Sequence, residues 1–162
     1  SHYAEKERER LENLKKKQAL CERSEILSEF DDWKAAGEEL KQLQEEWKHV
    51  GPVPKQDTEQ IWKRFKEAHD RFFERRHAYY KARDEERLAH LKEKERLCEE
   101  VESLYSLRDL VRVREEVKEI QKKWKIIGPV SPDQADGLWA RFKLACDRIF
   151  QGEGTSSPGG DS

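Results

Sequence analysis

Hydrophobic residues recur at helical spacing along most of the chain, with charged residues between them. The clearest stripe has i, i+3, i+7 spacing and runs through Leu110, Val113, Val117, Ile120, Trp124 and Ile127. Such periodicity is typical of an amphipathic α-helix. Glycine and proline, which interrupt helices, are absent from residues 55–127. We therefore predict an all-α fold.

The pattern repeats with a period of 77 residues. A shift of this size places WKHVGPV (47–53) over WKIIGPV (124–130) and WKRFKEAHDRFF (62–73) over WARFKLACDRIF (139–150). Of the 60 aligned positions that start at Leu14, 26 are identical in the second copy. Self-similarity at a fixed period indicates a tandem repeat architecture.

The repeat and the positions of turn residues predict the domain organisation. We expect two three-helix repeats, over residues 4–79 and 80–150, followed by a flexible tail over 151–162 whose composition resembles a linker. No helix-breaking residue separates the last helix of repeat 1 from the first helix of repeat 2. We therefore predict that the repeats share one long connecting helix from about 57 to 105, with a hinge near Tyr79–Tyr80 as the alternative.

Caps and turns predict the other helix ends. Gly51 and Gly128 follow the second helix of each repeat, where glycine often takes the left-handed conformation, and the next residue is a proline that prevents continuation. Asp57 and Asp133 are candidate N-caps of the third helices. We expect the first helices near 4–29 and 80–105, and the second helices near 32–49 and 109–126.

A set of aromatic, turn and charged residues is the same in both repeats. Aromatic stripes at helical spacing are usually core, so we expect its four tryptophans to be buried. We expect Asp70 and Asp147 to form ion pairs within a repeat or to brace the turn, with a surface that grips a partner as the alternative. The repeat signature comprises Trp47, Gly51, Pro52, Trp62, Arg64, Phe65, Asp70, Phe73, Trp124, Gly128, Pro129, Trp139, Arg141, Phe142, Asp147 and Phe150.

These motifs resemble the tandem repeats of the bacterial family called Domain of Unknown Function 349. The resemblance rests on the patterns W-K-x-x-G-P-V and W-x-R-F-K-x-A-x-D-R-x-F, and it covers about residues 4–150. It implies a bacterial, intracellular, all-helical protein with several such repeats, and it implies no activity. Pro54 is matched by Ser131 and His69 by Cys146, so we expect neither position to be essential to a shared role.

Composition narrows the class of protein. The 162-residue chain is 42% charged and has a mean hydropathy of -1.13, which fits disorder, a coiled coil or an extended helical array. Its 5 Trp, 6 Phe and 4 Tyr argue against disorder. The net charge of -2 gives no global attraction to nucleic acid or to an anionic membrane. The similarity of residues 3–14 to 80–91 leads us to expect a piece of a longer array.

Location and chemistry are predicted mainly by what the sequence lacks. No apolar run approaches the ~20 residues that cross a bilayer, so we expect no membrane partner and a cytoplasmic location. The five histidines share no metal-ligand spacing, and Cys21 and Cys98 lie on apolar stripes as core residues. Phosphate-binding glycine loops and HExxH motifs are absent. We therefore expect no enzyme, no cofactor and no metal.

A basic segment is the candidate interface for RNA. Residues 57–83 carry a net charge of +3, and Tyr79 and Tyr80 could stack on bases. Residues 133–150 of the second repeat have no net charge, which weakens this reading. The candidate nucleic-acid-binding residues are Lys63, Lys66, Arg71, Arg75, Arg76, Lys81 and Arg83.

The sequence thus favours a non-enzymatic helical repeat module for protein–protein interaction or scaffolding. Helical arrays present extended surfaces built from exposed helix faces. The expected partner is another protein or another copy of the chain, and the oligomeric state is left open. The alternative is an RNA- or ribosome-associated module that uses the basic segment 63–83.

Overall fold

A computed structural model describes residues 1–151 of the chain. These residues contain only helices and turns, without a β-strand, so the prediction of an all-α fold is confirmed. A single 3₁₀ turn at Leu104–Ser106 follows the third of five α-helices. The helices are α1 (His2–Leu27), α2 (Trp33–His49), α3 (Lys55–Ser103), α4 (Leu110–Ile126) and α5 (Pro132–Gln151). The predicted flexible tail lies, from residue 152 onward, outside the described residues.

Helix α3 is the longest element, with 49 residues. It is continuous through Tyr79–Tyr80, so the structure shows no hinge there. The chain divides into two compact units, which we call unit 1 (Ser1–Tyr80) and unit 2 (from Lys81 onward). The first part of α3 belongs to unit 1 and the second part to unit 2. The division into two three-helix repeats with the predicted ends stays a prediction.

Each unit has its own hydrophobic core, and the two cores use equivalent positions 77 residues apart. The core of unit 1 includes Cys21, Leu27, Ala36, Leu40, Leu43, Val53, Ile61, Phe65 and Phe72. The core of unit 2 includes Cys98, Leu104, Val113, Val117, Ile120, Val130, Leu138, Phe142 and Ile149. Five of these nine pairs exchange one apolar residue for another, which cores tolerate when the total volume is kept.

Aspartates cap α2 and α4 at equivalent positions. The Oδ1 atoms of Asp32 and Asp109 accept hydrogen bonds of 3.0 and 3.1 Å from the backbone N–H three residues later. The predicted N-caps at Asp57 and Asp133 are wrong, because α3 and α5 begin earlier and each aspartate lies in the first turn. In that position the carboxylate still interacts favourably with the helix dipole.

The turns after α2 and α4 differ from the prediction in the role of their glycines. Neither Gly51 nor Gly128 has a left-handed φ. Instead, a Cβ atom at Gly51 would lie 2.8 Å from Nδ2 of Asn13, and one at Gly128 would lie 2.5 Å from Cε1 of His90. These two side chains donate hydrogen bonds of 2.8 and 2.7 Å to the carbonyl oxygen of the proline that follows each glycine. A larger residue at either glycine would therefore displace the side chain that bonds to the turn.

Candidate functional site

A groove with an aromatic floor opens between α2 and the first part of α3 in unit 1. Its volume is about 370 Å³. Helix α2 lines it with Gln44, Trp47 and Lys48. Helix α3 lines it with Trp62, Phe65, Lys66, His69 and Asp70. These positions are three or four residues apart, so each helix presents a single face to the groove. We call this surface aromatic site 1.

Two stacked aromatic rings form the floor of aromatic site 1, and a third ring forms one side. The rings of Trp47 and Phe65 stack with their centroids 4.2 Å apart and an interplanar angle of 19°. The ring of Trp62 lies beside them, with centroid distances of 5.9 Å to Trp47 and 6.4 Å to Phe65. Trp62 is 48% exposed, so the prediction that it is buried in the core is wrong. Its indole closes one side of the groove and leaves about half of its surface to solvent.

The equivalent residues of unit 2 have the same geometry. The rings of Trp124 and Phe142 stack at 4.0 Å and 11°, and Trp139 lies 6.0 and 6.3 Å from them. Trp124 is buried, but Trp139 is 50% exposed, so the core prediction is wrong for this tryptophan as well. We call the surface aromatic site 2, and it comprises Gln121, Trp124, Lys125, Trp139, Phe142, Lys143, Cys146 and Asp147.

Each aromatic site has two lysines and one aspartate at its rim. Lys66 donates a hydrogen bond of 2.7 Å to Asp70. In site 2, Lys143 donates a hydrogen bond of 2.9 Å to Asp147. These are ion pairs within a repeat, as predicted for the two aspartates. The second lysine, Lys48 in site 1 and Lys125 in site 2, is exposed. The formal charge of each set of lining side chains is therefore +1 with histidine neutral.

His69 lies at the base of aromatic site 1 and is buried. Its Nε2 is 3.0 Å from Oγ of Ser24, and its Nδ1 is 3.0 Å from Nε2 of Gln44. Burial lowers the pKa of His69 below its ordinary value, so the ring is neutral, with one nitrogen donating and the other accepting. In site 2 this position is Cys146, and burial raises the pKa of its thiol to about 11.

The aromatic sites are more alike than the rest of the repeat. Seven of the eight positions that line site 1 are identical in site 2, and only His69 differs. Over the whole alignment 26 of 60 positions are identical, and even the buried core exchanges residues. Packing explains why a buried phenylalanine is kept. It does not explain why a half-exposed tryptophan is kept.

Two arginines of the repeat signature join helices within each unit. Nε and Nη2 of Arg64 each donate a hydrogen bond of 2.8 Å to the carboxylate of Glu25. Arg141 holds Glu102 in the same way, at 3.0 and 2.8 Å. These bonds lower the pKa of each glutamate below its ordinary value. The pairs brace α1 against α3 and the second part of α3 against α5, away from the aromatic sites.

The last signature residues to be placed are two phenylalanines, and each unit also contains a cation–π contact. Phe73 and Phe150 are half-buried and pack against the cores. A lysine ammonium lies over the ring of the stacked tryptophan in each unit. Nζ of Lys17 is 4.5 Å from the ring centroid of Trp47, and Nζ of Lys94 is 4.9 Å from that of Trp124. Sequence reasoning missed these lysines, together with Asn13 and the glutamates that bind the arginines. The repeat alignment offered a signal, because both glutamates and both lysines are identical in the two copies.

Most of the cations in the basic segment of α3 already interact with other residues of the same unit. Nη1 of Arg75 donates hydrogen bonds of 2.8 and 3.0 Å to the carbonyl oxygens of Ser28 and Phe30, at the end of α1. Arg76 lies over the ring of Phe73, and Lys81 is exposed. Carboxylates pair with most of the remaining candidates, as Lys63 with Glu67, Lys66 with Asp70, Arg71 with Glu29 and Arg83 with Asp84.

A family model described as Domain of Unknown Function 349 matches residues 1–56 and 60–133. The chain belongs to this family. The first matched segment of this Domain of Unknown Function 349 protein covers α1 and α2, and the second ends at the start of α5. The α5 half of aromatic site 2 lies beyond the matched residues. Neither a curated protein nor a solved structure matches the chain.

Within residues 1–151 of this Domain of Unknown Function 349 protein, no group of three or more histidine, cysteine, aspartate or glutamate side chains is arranged to hold a metal ion. None of the helices in that range combines the length and apolar character of a membrane span. The three cysteines are buried and unpaired. Burial raises the pKa of each thiol to about 11, which makes them poor nucleophiles.

Proposed function

We propose that the chain is a non-enzymatic helical repeat module that binds partner proteins through aromatic sites 1 and 2. The observation that carries this proposal is the half-exposed tryptophan, Trp62 or Trp139, which both sites keep with the same neighbours. Tryptophan is enriched among the residues that dominate binding energy at protein interfaces. Grooves between helices commonly receive apolar side chains of a partner segment. A scaffolding role follows if both sites of one chain are occupied at once.

The state of the buried polar side chains supports a role without catalysis. Both ring nitrogens of His69 are engaged by neighbouring side chains, so the ring has no nitrogen left to move a substrate proton. The three thiols are buried and protonated at neutral pH. Unpaired cysteines also support the inference of a cytoplasmic, reducing location.

Site-specific photo-cross-linking in the cells that naturally express the chain tests the proposal. A photoreactive amino acid replaces Lys48 or Lys125 at the rim of a site, and the control replaces Glu46, which is exposed on α2 and does not line site 1. We expect protein adducts from the two rim positions and not from the control. The adducts should disappear when Trp62→Ala and Trp139→Ala are combined. Adducts that persist in this double variant would contradict the proposal.

Nucleic-acid binding is the second function that the sequence suggested, and the structure gives it less support. A lysine or arginine that pairs with a carboxylate must exchange that partner for a phosphate, which reduces the gain from counterion release. Gel-shift titration of the purified chain with labelled RNA separates the two functions. Binding that appears at low salt and weakens steeply as salt is added would favour the RNA reading.

A further inference from the structure

We infer that each aromatic site accepts a short acidic peptide segment of a partner protein, with one apolar anchor residue packed against the half-exposed tryptophan. This inference rests on the proposed function and names the chemical class of its ligand. Its evidence is the shape of the groove in unit 1, together with the aromatic geometry and the rim charges that both units share.

The apolar anchor residue of the ligand would pack against the floor of the site. The stacked pair of Trp47 and Phe65 forms an apolar surface, and the indole of Trp62 forms a wall whose outer half is exposed. An apolar or proline side chain placed there would cover the exposed indole and remove apolar surface from water. The groove of about 370 Å³ is open at the rim, so a peptide main chain can pass over it.

The rim selects for negative charge on the ligand. Asp70 is already bonded to Lys66, which leaves Lys48 as the cation without a partner inside the lining. Lys48 approaches Glu45 at 3.3 Å, but both side chains are about two-thirds exposed, and such a pair contributes little and exchanges readily. In unit 2 the position of Glu45 is taken by Lys122. A cationic anchor, such as an arginine stacked on the indole, would face these lysines and be repelled.

The charge of the sites contrasts with that of the chain. Each lining carries a net charge of +1, whereas the whole chain carries -2. Two lysines and one aspartate occupy equivalent positions at both sites, so the two sites have the same local charge. Charge complementarity at a rim mainly accelerates association and excludes wrong partners, while the buried anchor supplies most of the affinity.

Selection from a random peptide library displayed on phage tests the ligand class. The native chain is the target, and the double variant Trp62→Ala with Trp139→Ala is used to remove peptides that bind elsewhere. We expect selected peptides to carry aspartate or glutamate around one apolar residue. A selection rich in lysine and arginine would overturn the inference, and so would a library that yields no peptide with a preference for the native chain.

Binding of one selected peptide then identifies the site. The indole N–H signals of the tryptophans in an NMR titration should shift at Trp62 and Trp139. Charge reversal by Lys48→Glu and Lys125→Glu should weaken binding about fivefold, as expected for rim charges. Loss of both exposed tryptophans should weaken it about thirtyfold, as for a binding hot spot.

The matched control for the charge reversal is Lys15→Glu with Lys92→Glu. These lysines are also exposed and also identical in the two repeats, but they do not line the sites. Equal weakening by both charge reversals would overturn the inference, because the effect would then come from the total charge. The two tests can also disagree. If cross-linking depends on the tryptophans but the library yields basic peptides, the proposed function stands and only the acidic ligand class is rejected.

Discussion

The imidazole of His69 and the hydroxyl of Ser24 form a buried hydrogen bond of 3.0 Å in unit 1. Unit 2 has Cys146 and Val101 at the equivalent positions, so this polar pair is peculiar to unit 1. The pair lies under aromatic site 1 and connects α1 to α3. It gives unit 1 a dependence on pH that unit 2 does not share at this position.

We predict that unit 1 loses stability as the pH falls from 7.5 to 5.5. Burial holds the pKa of His69 below its ordinary value of 6.5, so the unfolded chain binds a proton more readily than the folded chain. The contribution is complete above pH 6.5 and is lost as the pH falls below it. Urea unfolding at several pH values measures the effect.

The matched control grafts the residues of unit 2 into unit 1, as Ser24→Val with His69→Cys. The fall in unfolding free energy between pH 7.5 and 5.5 should become smaller in this variant, because the buried imidazole is gone. An unchanged pH dependence would show that other groups cause it. The negative charge of Asp70 partly offsets the effect of burial on the pKa of His69, and Asp70 is present in both proteins.

Alanine in place of the turn glycines should destabilise each unit. At Gly51 the new Cβ would displace the Asn13 side chain, and at Gly128 it would displace His90. Loss of the hydrogen bond to the turn carbonyl should cost about 1 kcal/mol of unfolding free energy. Chemical denaturation measures this cost.

Two further variants test the cause of that loss. Gly137→Ala, in helix α5 with open space around its Cβ position, should instead raise stability by about 0.5 to 1 kcal/mol. In an Asn13→Ala background, Gly51→Ala should cost little, because no side chain remains to be displaced. If Gly51→Ala costs the same in both backgrounds, the close approach is not the reason for glycine.

The two tryptophans of aromatic site 2 should differ in their effect on stability. Trp124 is buried and stacked on Phe142, so Trp124→Ala should cost about 3 kcal/mol or more. Trp139 is half exposed, so Trp139→Ala should cost markedly less, about 1 kcal/mol. Equal losses in denaturant titrations would show that Trp139 is structural, and its value as a binding probe would disappear.

The pair of Arg141 and Glu102 should contribute a pH-dependent stabilisation to unit 2. Glu102→Gln should lower the free energy of unfolding at neutral pH by about 0.5 to 1 kcal/mol, a modest value because the pair is partly exposed. The arginine lowers the pKa of Glu102 below 4.5, so this contribution is present above that pH and is lost as the pH falls through the lowered pKa. The difference from the native chain should therefore shrink in acid, whereas Glu93→Gln should cause little change at either pH.

Helix positions followed closely from the hydrophobic pattern. The second helices were predicted over 32–49 and 109–126, and α2 and α4 occupy Trp33–His49 and Leu110–Ile126. Regular spacing of apolar residues and a glycine–proline stop are local signals, which a single sequence displays directly.

The exposure of Trp62 and Trp139 was not predicted, because it depends on contacts between helices. Trp62 and Phe65 lie three residues apart on the same apolar face, and only the position of α2 decides which ring is covered. Likewise, Asn13 meets the turn carbonyl across 39 residues of sequence. Periodicity contains no information about contacts of this kind.

The two hydrogen bonds from Arg75 to the carbonyl oxygens at the end of α1 have a practical consequence for mutational scanning. In an alanine scan of the basic segment, Arg75→Ala would release the connection between α1 and α2 and reduce almost any measured signal. The loss would come from the disturbed fold and could be mistaken for the loss of a ligand contact. A scan of this segment therefore needs a folding readout for every variant before a loss of binding is assigned to a surface.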